Sequence, residues 1–210
     1  MGKMMDMHMK LWLGLALLAT ACTREGGPSK KALEAVDLLV GRYRLVELTF
    51  DGPLMDLGND GIVLPSFREE VEATGWSGPV GELDTFDASI RPPKEGLEGR
   101  GSFHIITSRY PLHWENVTTR SGYLELADLP VRYEVDGDGT VRLHSDGIHF
   151  EGGDSSWREI VDQVEITLLS GRDLVITADV EFVDFAAHEV VTGQTTQRYR
   201  NVSPKPWLGQ

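Results

Sequence analysis

The chain has 210 residues, with 20 Lys and Arg against 33 Asp and Glu and a formal net charge of −13. With 40% hydrophobic and 25% charged residues it has the composition of an ordinary globular domain, not of a disordered or collagenous chain. Surplus carboxylates repel phosphate backbones, which disfavours nucleic acid as a partner, and a single cysteine excludes an intrachain disulfide or a multi-thiolate metal centre.

Residues 1–21 hold Lys3, Lys10 and Asp6, a local charge of +1, so the remainder carries −14. Lys10 is followed by the apolar run Leu11–Ala21, which predicts a secretory signal over residues 1–21. The run is shorter than the roughly 20 apolar residues that cross a bilayer. It closes on Ala19-Thr20-Ala21-Cys22, which resembles the lipobox of bacterial lipoproteins: Thr20, Ala21 and Cys22 fit, and Ala19 stands where Leu is commonest. The resemblance implies a diacylglycerol on the Cys22 thiol, cleavage before it and acylation of the freed amine. Each buried CH₂ of those chains contributes about 0.8 kcal/mol to anchoring. Acylation also removes an unpaired thiol from an oxidising compartment; the competing reading is a plain secreted protein with an incidental cysteine. Thr23 after the cysteine implies transit to the outer membrane; the periplasmic side is the expected face. Residues 22–31 then form the lipidated cysteine and a flexible tether, whose Arg24, Lys30 and Lys31 favour mild attraction to anionic headgroups.

Residues 32–210 suit one domain. Leu33, Val36 and Val40 lie at helical spacing and predict a short helix over 32–40, capped by Gly41. Residues 42–50 alternate as a strand, with Tyr43, Leu45, Glu47 and Thr49 on one face and Arg44, Val46, Leu48 and Phe50 on the other. The segment Asp56-Leu57-Gly58-Asn59-Asp60-Gly61-Ile62 has carboxylates at positions 1 and 5 of a calcium loop and glycine at position 6. Asp56, Asn59 and Asp60 are its candidate ligands for a structural calcium. Gly58 and Phe67 provide no ligand at the third and twelfth positions, so the competing reading is an acidic turn leading to a helical segment near residues 66–73.

Further strands are predicted over 85–90, 100–107, 114–119, 122–126, 147–150 and 190–202. Two hairpins are sharper: 129–135 with 140–144 across Asp136-Gly137-Asp138-Gly139, and 160–169 with 174–183 across Ser170-Gly171-Arg172-Asp173. Leu174, Ile176, Ala178, Val180 and Phe182 share one face of the last of these, the period-2 mark of a sheet covered on one side. No sustained helix is expected after residue 80. Eight or more hairpin-linked antiparallel strands predict an all-β fold, either a closed barrel or a β-sandwich; a barrel of about eight strands has room for one small ligand.

Gly41-Arg42-Tyr43-Arg44-Leu45-Val46 resembles the Gly-x-Trp opening of lipocalin-like domains, with Tyr43 at the Trp position. The resemblance runs loosely over residues 41–202 and is nearest to small lipocalin-like bacterial lipoproteins, although the Thr-Asp-Tyr motif of true lipocalins is missing. It implies a lipocalin-like barrel closed at its base by a basic residue of the last strand, Arg198 or Arg200, packed across the Tyr43 ring. Such a cation–π contact is worth about 0.5–2 kcal/mol.

Catalytic patterns are sparse. No serine sits in a Gly-x-Ser-x-Gly elbow, and the glycines of the 136–139 turn precede no helix that could cradle phosphate. His144, His149 and Glu151 would converge on zinc only across a turn at Asp146-Gly147. The leading expectation is a non-catalytic, lipid-anchored envelope protein that binds a small apolar or amphipathic ligand in a β-barrel. Its competitors are a β-sandwich module that recruits another envelope protein and, lowest, a hydrolase acting at the membrane surface.

Overall fold

The computed structural model describes residues 27–74, 88–108, 124–145, 164–169 and 172–204. Helix α1 (Lys30–Leu39) is started by Ser29, whose side chain accepts the Ala32 N–H at 3.1 Å, and it buries Ala32, Val36 and Leu39. Its end corrects the expected glycine cap. Val40 is already extended, and Gly41 opens strand β1 (Gly41–Phe50) with φ of 147°. A Cβ at residue 41 would stand 2.6 Å from Asn201 Oδ1 and 2.7 Å from Ser203 Oγ, so glycine serves here to admit those side chains.

Strand β1 also departs from strict alternation. Tyr43 and Leu45 point inward, then the pairing shifts at Val46, and from there Leu48 and Phe50 take the inner face. One extra residue in the strand, a β-bulge, moves Glu47 and Thr49 to the outside. Helix α2 (Phe67–Ala73) follows, capped by Ser66 Oγ accepting the Glu69 N–H at 3.2 Å, where the sequence predicts a helical segment.

The remaining strands are β2 (Ala88–Ile90), β3 (Glu98–Ser108), β4 (Leu124–Val135), β5 (Val141–Ser145), β6 (Val164–Leu168), β7 (Asp173–Asp184) and β8 (Glu189–Asn201). Strand β4 merges two expected strands into one through Pro130, at the level where β5 stops pairing and an edge tolerates proline. The predicted strands at 114–119 and 147–150 lie outside the described residues.

All eight strands form one antiparallel sheet in the order β5-β4-β3-β2-β1-β8-β7-β6. Neighbours in space are neighbours in sequence except at β1 and β8, whose pairing rolls the meander into a barrel. The barrel is nearly closed: among the described residues β5 and β6 approach without joining their ladders. A single curled sheet, not two facing sheets, answers the choice between barrel and sandwich.

The two ends differ. At the base, α1, the start of β1, the end of β8 and the Asp136–Gly139 turn meet, with Ser29 Oγ donating to the Gly137 carbonyl. The opposite end carries the 51–66 segment, α2 and the turn between β7 and β8, and β3 ends there.

Candidate functional site

The lower barrel is filled. Tyr43, Phe103 and Tyr199 pack edge to face, with centroids 5.2 and 5.1 Å apart. Gln197 lies beside them, its Oε1 accepting the Ile106 N–H at 2.9 Å and its Nε2 donating to the His104 carbonyl at 2.8 Å. The Tyr199 hydroxyl donates to that same carbonyl at 2.7 Å.

Space appears higher, where the 51–66 segment crosses the barrel mouth. Phe50 from β1, Phe67 from α2 and Phe182 from β7 form a floor with centroid separations of 5.0–5.4 Å. The Phe50 ring is seated against Gly193, where a Cβ would lie 2.5 Å from it. Beside this floor is a cleft of about 230 Å³ whose walls include Leu48, Phe50, Leu54, Met55, Pro65 and Phe67. Leu54 is 59% exposed at the opening, and Ile62 and Val63 of the same segment are exposed too.

Two polar side chains of the cleft, Glu70 and Ser66, are engaged by backbone amides. Glu70 is buried, one carboxylate oxygen accepting the Leu57 N–H at 3.1 Å and the other the Leu64 N–H. Ser66 caps α2. Asp184 accepts the N–H groups of Asp56 and Ala186 at 3.2 and 2.9 Å, pinning the same segment to the β7–β8 turn. Buried carboxylates thus hold the crossing segment by its backbone amides, which satisfies both sides of each bond.

The expected calcium loop, residues 56–62, belongs to this same crossing segment. Asp56 is buried and accepts the Gly61 N–H at 2.9 Å and the Asp60 N–H at 3.3 Å, while Asp60 accepts the Ile62 N–H at 2.8 Å. Asn59 turns the chain with φ of 51°. The carboxylates bind amides of their own loop, and among the described residues no group of three or more His, Cys, Asp or Glu side chains is placed to hold a metal ion.

The arginines are also placed differently. Arg198 and Arg200 project from the outer face of β8, and both grip Asp173 of β7, with Arg200 Nε 3.0 Å and Arg198 Nε 2.8 Å from its carboxylate. The hydrogen bonds from Arg200 and then Arg198 hold the Asp173 carboxyl below the usual carboxylate range. Inward-facing positions alternate along β8, so it is Asn201 that stands opposite Tyr43 inside the base. Its Nδ2 lies 3.0–3.4 Å from the carbonyls of Leu38, Leu39 and Val40, the free end of α1, and Tyr43 donates its hydroxyl to Leu39. An amide capping a helix closes the base where a guanidinium over a ring is expected.

His144 is exposed on β5; Cys22, His149 and Glu151 lie outside the described residues. The cleft is not among the expectations drawn from the sequence, yet it leaves a mark there. Between Pro53 and Pro65 stand Leu54, Met55, Leu57, Ile62, Val63 and Leu64, too apolar a run for a solvated loop.

Comparison with protein-family models, with curated proteins and with solved structures returns no match to this chain. The class of the protein is therefore the one its own topology defines, a nearly closed eight-stranded up-and-down barrel with a helix across its base and an apolar cleft at its mouth.

Proposed function

We propose that this chain is a non-catalytic, lipid-anchored protein of the bacterial cell envelope that takes a small apolar or amphipathic ligand at the mouth of its barrel. The cleft between the Phe50–Phe67–Phe182 floor and the 51–66 segment is the observation that carries the reading. An apolar cavity of about 150 Å³ holds benzene, and drug-sized ligands occupy about 300–1,000 Å³. A cleft of about 230 Å³ suits one ring or the end of an alkyl chain, with the rest of the ligand outside past Leu54. Its Glu70 and Ser66 are committed to backbone amides, which favours holding a ligand over acid–base chemistry on it. The Ala19-Thr20-Ala21-Cys22 run supports the anchor and, with Thr23, transit to the outer membrane.

A fluorescent naphthalene probe displaced by octanol tests the cleft. Saturable one-to-one binding is expected, weakened at least about tenfold in Leu54→Asp, since a carboxylate at the lip must be desolvated against the ligand. Leu54 is mostly exposed, so the fold tolerates the change. Absence of saturable binding, or binding indifferent to the substitution, removes the reading and leaves exposed Leu54, Ile62 and Val63 as contacts for a partner protein of the envelope. The anchor is tested apart: Cys22→Ala should abolish incorporation of labelled fatty acid and release the protein from membranes.

A further inference from the structure

Charge is unevenly spread over the described residues of this acidic molecule. Among the described residues, Arg68 is the one Lys or Arg in the half that holds the mouth; the others belong to the base or the lower parts of the strands. Lys30, Lys31, Arg42, Arg44, Arg91 and Arg200 are exposed there. At the mouth the exposed charges are carboxylates, among them Asp51, Asp60, Glu69, Glu72, Asp179 and Glu189. The base has acids as well, including Glu34, Asp37, Glu98 and Glu134, and Asp173 is bound between two arginines.

Two pairs of arginines also face one another across the sheet at this end. Arg44 stands directly across from Arg200, and Arg100 directly across from Arg132. Like charges in opposed positions repel, and here Asp173 offsets the first pair by binding Arg200. The same end also exposes Leu33 and Leu38 on α1, at 43% and 49%, and Val202 after β8, at 51%. Apolar side chains standing among Lys and Arg are the composition of a surface that enters a lipid interface, the cations meeting headgroups and the aliphatic groups the acyl boundary.

We propose that the barrel base is a docking face for an anionic lipid surface. The chain upstream of Gly27 joins the molecule at this end, through the Ser29 cap of α1. From residue 22 to Ser29 an extended chain reaches at most about 25 Å, so an acylated Cys22 holds the base toward the bilayer and the acidic mouth, with its cleft, away from it. The biological setting rests on the envelope reading of the preceding section. The charge chemistry does not.

The experiment uses full-length Cys22→Ala protein, so that no acyl chain contributes, sedimented with vesicles of phosphatidylcholine alone or mixed with phosphatidylglycerol. At low ionic strength, partitioning onto the mixed vesicles is expected to exceed that onto neutral ones at least about tenfold, and to collapse in about 1 M salt, where the screening length is about 3 Å. Lys31→Glu with Arg44→Glu, both exposed positions, should remove about tenfold or more of that preference. Arg68→Glu at the mouth should leave it unchanged. Equal partitioning onto both vesicles, a preference untouched by salt, or full preference in the double variant overturns the proposal. Labelling of Cys22 with fatty acid in the unmutated protein reports the anchor separately, so either idea can fail without the other.

Discussion

Gln197 and Tyr199 occupy the interior of a barrel that an alternation rule would line with hydrocarbon. Strand β2 has three residues, and beyond it the His104 carbonyl and Ile106 N–H on the free side of β3 have no strand beside them within the described residues. The two β8 side chains reach these groups instead, Gln197 meeting both and Tyr199 only the carbonyl. Their deletions should therefore differ. Tyr199→Phe leaves His104 bonded to Gln197 and is expected to cost about 1 kcal/mol, whereas Gln197→Leu strands a buried N–H and should cost about 2–3 kcal/mol. Equilibrium urea unfolding of the two variants measures both, and equal costs would mean that Ile106 finds another acceptor.

Elements that follow one periodicity from end to end are legible in the amino-acid sequence alone. Strand β7 buries the face marked by Leu174, Ile176, Ala178, Val180 and Phe182, the Asp136–Gly139 hairpin forms where its Asp-Gly pairs stand, and Ser66 starts a helix. What is not legible depends on contacts distant in sequence. A bulge is a single residue with no composition of its own, so Val46 gives no warning that Leu48 and Phe50 turn inward. Asp56 and Asp60 have the spacing of cation ligands, and only the fold shows that they also accept amides of their own loop. The helix-to-strand junction at the base is a further case, since the cap for α1 comes from Asn201 at the far end of the chain. Asn201→Ala should remove the amide donor shared by the Leu38, Leu39 and Val40 carbonyls beside a buried core, costing about 1–3 kcal/mol. Hydrogen exchange in α1 is expected to accelerate more than in β3 or β4; uniform acceleration would show that the helix and barrel open together.

Across the whole molecule, stability should fall at both ends of the pH range for different reasons. On the acid side, Asp173 is held below its usual value of 3.8 by Arg200 and Arg198. The unfolded chain then binds the proton first as pH drops, so the stabilisation is complete above about pH 4 and disappears as pH falls through the folded value. On the alkaline side, burial pushes the phenols of Tyr43 and Tyr199 well above 10.0 and that of Tyr133 up to about 12. Unfolded tyrosines release their protons near pH 10.0 while the folded ones keep them, so deprotonation favours the unfolded chain and stability declines as pH rises through that value. All three rings lie in the lower barrel, Tyr133 donating its hydroxyl to the Arg91 carbonyl at 2.9 Å. Melting temperatures are expected to hold a plateau between about pH 5 and 9 and to drop on both sides. Asp173→Asn should flatten the acid limb alone and Tyr43→Phe should shallow the alkaline limb alone. An alkaline limb unchanged by Tyr43→Phe would mean that its phenol ionises in place, and that the base around α1 is wetter than its packing implies.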